Sequence, residues 1–104
     1  MIGSLDTYFA VLKYTKDHKI SALFNYILSK SEDGSGGWGS CILLEKDIIE
    51  TCLIKSEDIS KHLNKLSKKH QLLNYNYHLY LSGNDKIELN INKKVYHNVI
   101  YGVI

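Results

Sequence analysis

The hydrophobic period of this chain changes partway along its length, and that change limits the folds open to it. Within Ile54–Leu73, IKSEDISKHLNKLSKKHQLL, the residues Ile59, Leu63 and Leu66 recur at spacings of four and three, which is one face of a helix. A few residues later the period is two. Tyr75, Tyr77, Leu79 and Leu81 alternate with Asn74, Asn76, His78 and Tyr80, and Ile87, Leu89 and Ile91 alternate with Lys86, Glu88, Asn90 and Asn92. Ser-Gly-Asn-Asp between the two runs supplies turn residues, so 73–92 is expected to be an antiparallel hairpin and the chain an α+β protein.

Upstream, Ile20, Leu23, Phe24, Ile27 and Leu28 form an apolar stripe that predicts a helix over 19–30. EDGSGGWGS, residues 32–40, reads as a loop; it lacks the Lys-Ser/Thr pair of a phosphate-binding loop, and Trp38 within it either caps the core's edge or is an exposed contact. A second helix is expected over 44–52, with Ile48, Ile49 and Cys52 on one side. A third spans 56–69, with Ser56 as its cap and Glu57 and Asp58 in the first turn, where carboxylates meet unpaired amides. Residues 7–15 fit a strand by their aromatic and β-branched content, yet Leu5, Phe9 and Leu12 also fit one helical face. The end, 93–104, is expected to be a short helix or an extended tail that packs on the domain or on a second subunit.

At 104 residues the chain has the length of one domain, 1–104, and no proline interrupts it. Charge is unevenly placed. Residues 32–58 hold seven acids against Lys46 and Lys55, a local charge of −5, whereas 59–104 hold seven lysines against Asp85 and Glu88, a local charge of +5. Attraction to phosphate is local, so a formal net charge of only +2 does not abolish binding of an anionic polymer along one face. Arginine is absent, which leaves lysine as the main cationic donor. No stretch approaches the roughly 20 apolar residues of a membrane span and no secretory signal precedes the chain, so a cytoplasmic location with Cys41 and Cys52 reduced is expected, and no membrane partner.

Residues 47–73, DIIETCLIKSEDISKHLNKLSKKHQLL, resemble the helix, turn, recognition helix and first wing strand of bacterial winged helix-turn-helix DNA-binding proteins. Ile48 matches the buried isoleucine of the supporting helix and Ile54 the apolar residue closing the turn. Ile59, Leu63 and Leu66 match the buried positions of the recognition helix, and Leu72 and Leu73 the entry to the wing. The chain departs from the pattern at Leu53, where the family often has glycine, and at Lys55, where it has a small cap. Around this segment the chain is similar to small plasmid and phage replication proteins of low-GC Gram-positive bacteria, and in size and layout to plasmid-partition adaptors that bind centromere sites as dimers. The resemblance implies a winged helix-turn-helix, with a three-helix core and a C-terminal antiparallel β-hairpin wing. It also implies sequence-specific binding of double-stranded DNA in replication, partition or transcriptional control, with a partner protein in replication or partition.

With Ile59, Leu63 and Leu66 inward, the N-terminal half of the third helix would present Ser56, Glu57, Ser60, Lys61 and Asn64 to base edges. Asn64 suits adenine and Lys61 guanine, while Glu57 either accepts from cytosine or serves the helix dipole. Lys55, Lys65, Lys68, Lys69 and Lys86 are expected to meet phosphates, which position without specifying. A homodimer is expected to pair through Leu5, Phe9 and Leu12 with Val95, Val99, Ile100 and Val103; the rival reading has both ends covering their own subunit's core. Neither cysteine has a visible base, and the five histidines show no metal-ligand spacing, so no enzyme, metal or cofactor is expected. The alternative function is a protein-binding adaptor without DNA contact, for which Tyr75, Tyr77 and Tyr80 supply aromatic anchors.

Overall fold

Asp17 begins the most deeply buried helix. Its extended backbone lets the carboxylate accept from the amides of Lys19 (2.9 Å) and Ile20 (3.3 Å), satisfying two donors that a helix start leaves open. In the computed structural model, which describes residues 5–31, 38–78 and 86–102, this helix runs His18–Lys30 and is the second of five. Ile20, Leu23, Phe24, Ile27 and Leu28 are all fully buried, as the stripe requires.

The undecided segment before it is also a helix. Helix α1 spans Leu5–Thr15 and buries Thr7, Val11 and Thr15, four residues apart, while Leu5 and Phe9 face outward. Its end is set by Lys16, which takes a left-handed φ of 59° and donates its amide to Leu12 O at 2.7 Å. Thr15 Oγ1 and Ser21 Oγ, 2.6 Å apart and buried, tie α1 to α2. Packing on α2 rewards a face that repeats every 3.6 residues, and that context overrides the strand propensity of the aromatic run.

Next come β1 (Ser40–Leu44), α3 (Glu45–Cys52), α4 (Ser56–Asn64) with a π-helical turn (Lys65–Lys69), β2 (Leu73–His78), β3 (Lys86–Ile91) and α5 (Lys93–Ile100). All three strands are antiparallel neighbours in the order β1-β3-β2. Central β3 turns Ile87, Leu89 and Ile91 inward, and Tyr75 and Tyr77 of β2 lie on the half-buried side, as the alternation predicts. The expected Ser-Gly-Asn-Asp turn, Leu79, Tyr80 and Leu81 fall outside the described residues.

The expected fold, a three-helix core with a C-terminal hairpin wing, is corrected by this architecture. Among the described residues there are five α-helices and an open three-stranded sheet, and the hairpin strands are followed by a helix and paired to a further strand. Strand β1 covers one edge of β3 in register from Ser40↔Asn90 to Leu44↔Lys86. Ser40 therefore belongs to a strand rather than to the loop expected over 32–40, and Leu44 ends that strand and caps α3 rather than starting a helix. After β3, the Asn92 side chain accepts from Val95 N at 3.3 Å and starts α5, resolving the helix-or-tail choice for 93–100. Tyr96 and Val99 of α5 are buried, and α5 packs on α1.

Candidate nucleic-acid interface

Helix α4 divides its surface cleanly. Ile59, Leu63 and Leu66 are fully buried and His70, just past the π turn, is nearly so; Glu57, Ser60, Lys61, Asn64, Lys65, Lys68 and Lys69 are exposed. The π turn closes through His70 N donating to Lys65 O at 3.0 Å, five residues back, which widens the last turn of the helix. Tyr14 of α1 fixes this end: its hydroxyl donates to His70 O at 3.2 Å and its ring meets the imidazole edge-on at 5.5 Å.

Lys61, His62, Asn64, Lys65, Lys68 and Lys69 line a surface concavity of about 400 Å³. Three of the proposed phosphate contacts and two of the proposed base contacts are thus brought to one place. Ser60 and Glu57 are exposed on the same helix but do not line it. Lys86 is exposed at the start of β3 and likewise lies outside the concavity's lining.

The start of α4 differs from the expectation. Lys55, not Ser56, occupies the cap position and its side chain makes no capping bond; its carbonyl accepts from Asp58 N at 2.9 Å. Ser56 is the first helical residue, and its hydroxyl donates to Glu45 Oε1 of α3 at 2.6 Å, which engages a proposed base-contact side chain within the chain itself. Leu53 occupies the turn with φ 55° and ψ 40°, the left-handed region that glycine prefers, and is 88 % exposed.

His62 is the residue that sequence reasoning passed over. It lines the lysine concavity and also a second one of about 270 Å³, shared with Lys19, Leu53, Ile54, Lys55 and Asp58. Its Nδ1 is buried with no hydrogen-bond partner among the described residues. Burial lowers its pKa below the usual histidine value, against the pull of Asp17 and Asp58 and with the help of Lys65 and Lys19. Opposite it, burial tends to raise the Asp17 carboxyl, but the amides of Ile20 and Lys19 and the charges of Lys65 and His62 outweigh that and lower it. The signal available in the sequence was position: His62 lies three residues after Ile59 and four before Leu66, at the border of the apolar stripe.

On α1, Leu5 is 68 % and Phe9 54 % exposed, and Leu12 is half-buried. Val95 and Ile100 pack partly against the core, Val99 is buried in it, and Val103 lies outside the described residues. Trp38 packs edge-on against Tyr96 at 5.4 Å, so it joins the core's border. Cys41 and Cys52 are free thiols, half-buried; burial pushes the Cys41 thiol up to about 11 and raises that of Cys52, which leaves both weak nucleophiles. Among the described residues no group of three His, Cys, Asp or Glu side chains could hold a metal ion, and no helix is long and apolar enough to cross a membrane. Comparison with protein-family models, with curated proteins and with solved structures finds no match for this chain.

Proposed function

We propose that the chain binds double-stranded DNA through the solvent face of α4, as a homodimer, in the replication, partition or transcriptional control of a plasmid or phage genome. The observation that carries the reading is the concavity in which Lys61, Lys65, Lys68 and Lys69 converge around Asn64 and His62. Four cationic donors on two turns of helix suit a phosphate backbone, and Asn64 adds a paired donor and acceptor suited to adenine. The exposed Leu5 and Phe9 on α1 supply apolar surface for pairing across a two-fold axis, which would lengthen the site read.

Fluorescence anisotropy with a random duplex at low salt tests the first step. Binding in the micromolar range that falls steeply with salt is expected, since each neutralised phosphate releases a counterion; no binding at tens of micromolar would refute it. Duplex selection on Lys61→Ala/Asn64→Ala and on Lys65→Ala/Lys68→Ala separates reading from anchoring. The first pair should relax sequence preference and the second weaken all duplexes alike. For the dimer, sedimentation at micromolar concentration should give a dimer that Leu5→Glu/Phe9→Glu converts to monomer, and a wild-type monomer would remove that part.

A further inference from the structure

Helix α5 carries a second cationic surface, built differently from the first. The Lys93 ammonium sits 4.9 Å from the centroid of the Trp38 ring, and Gly39 makes room for its stem: a Cβ there would lie 2.6 Å from Lys93 Cε. His97 lies 6.0 Å from Trp38, and Tyr101, one turn on, lies 6.2 Å from His97. The three rings, successively tilted by 58° and 46°, therefore run beside α5 from half-buried Trp38 to the open end of the helix, since His97 is exposed and Tyr101 is 76 % exposed. Lys93 and Lys94 are exposed beside it, and α5 contains no acidic residue.

Two exposed rings, His97 and Tyr101, backed by half-buried Trp38 and flanked by lysines, combine the two features that hold an unpaired nucleic-acid strand: π surface for bases and cations for the phosphates between them. A duplex keeps its base faces stacked inside and has no use for the rings. We infer that the Trp38–His97–Tyr101 ladder, with Lys93 and Lys94, is a second nucleic-acid site that takes a short single strand. The site stands apart from the duplex reading of α4, because none of its residues lines the α4 concavity.

Trp38 is the chain's one tryptophan, so its fluorescence reports on this site alone. Titration of the whole chain with a thymidine oligonucleotide of about ten residues, a length within the span such surfaces cover, should quench Trp38 saturably. Tyr101→Ala should weaken the quenching titration roughly tenfold, the loss of one stacked base, and Lys93→Ala/Lys94→Ala should weaken it and flatten its salt dependence. Lys65→Ala/Lys68→Ala should leave it unchanged while lowering duplex affinity, so failure here and failure of the duplex reading are separable. Because Tyr101 is exposed, its variant is expected to fold, and a circular dichroism spectrum matching the parent's checks this. An absence of quenching at tens of micromolar, quenching that Tyr101→Ala leaves intact, or equal quenching by an oligoglutamate of the same charge would each overturn the inference, the last in favour of an acidic peptide.

Discussion

Helices α4 and α5 both bury an apolar stripe and turn lysines and a histidine to solvent, yet they are suited to different things. On α4 the lysines converge on a concavity with no tyrosine, phenylalanine or tryptophan in its lining, and its one ring, that of His62, is half-buried. On α5 one lysine is held against Trp38 and the exposed histidine continues an aromatic ladder. Similar charge thus gives two surfaces because of what lies beneath it. A cationic hollow meets phosphates whatever bases they join, whereas a ladder of rings needs bases that are not stacked on one another.

The contrast rests on inner faces that build the fold and outer faces that do not. Leu63→Ala should therefore give the largest effect, a loss of about 2–5 kcal/mol in denaturant unfolding, because Leu63 is fully buried in the core. Lys65→Ala/Lys68→Ala/Lys69→Ala should change that stability by under about 0.5 kcal/mol per site. The same triple variant should lower the slope of log affinity against log salt by roughly one unit per lysine. Equal loss of stability in both variants would erase the distinction between the faces.

Gly39→Ala probes the ladder from behind. Gly39 has φ +113°, and a methyl group there meets the flexible end of Lys93, so the backbone conformation and not the contact should dominate a cost of about 1–3 kcal/mol. The displaced ammonium should also change Trp38 fluorescence, while duplex binding by α4 stays as it was. A smaller effect, of opposite sign, is expected in the turn before α4. Leu53→Asn relieves a left-handed leucine and removes an exposed apolar side chain, and should raise stability by about 1 kcal/mol without altering either surface.

Finally, pH acts on the α4 side through histidines whose folded pKa values lie below the unfolded one. Burial depresses His62, and burial with the charge of Lys69 depresses His70, so the unfolded chain takes up protons first as pH falls. Their contribution is present above the unfolded pKa near 6.5 and is lost as pH falls through the lower folded values. Unfolding free energy measured between pH 7.5 and 5 should decline with acid, and His62→Gln should flatten that decline. Duplex affinity should move the other way over the same range, because a protonated His62 adds a cation beside Lys65. An affinity that falls on acidification would place His62 away from the phosphates.

Several elements were legible as local periodicity: the stripe of α2, the inward Ile59, Leu63 and Leu66 of α4, and the alternation of β2 and β3. These patterns carry their own partner's direction, since a period of 3.6 or 2 specifies which side must be covered. The lysine face opposite the α4 stripe followed from the same periodicity, although its convergence with His62 into one hollow did not. Cys41-Ile42-Leu43-Leu44 was too short to show any period, and only pairing with β3 makes it a strand. Residues 7–15 fitted two periods; the chain forms the helix, but it buries Thr7, Val11 and Thr15 and not the face of Leu5, Phe9 and Leu12 that the sequence offered. Ser56 looked like a cap because of its type, but Glu45, eleven residues earlier, took its hydroxyl. The sequence by itself therefore determined which faces are apolar and where charge collects, properties of neighbours within a turn or two. Tertiary structure alone decided the third strand, the seat of α5 on α1 and the tilted contact of Trp38 with His97, because each joins residues whose separation along the chain leaves no local trace.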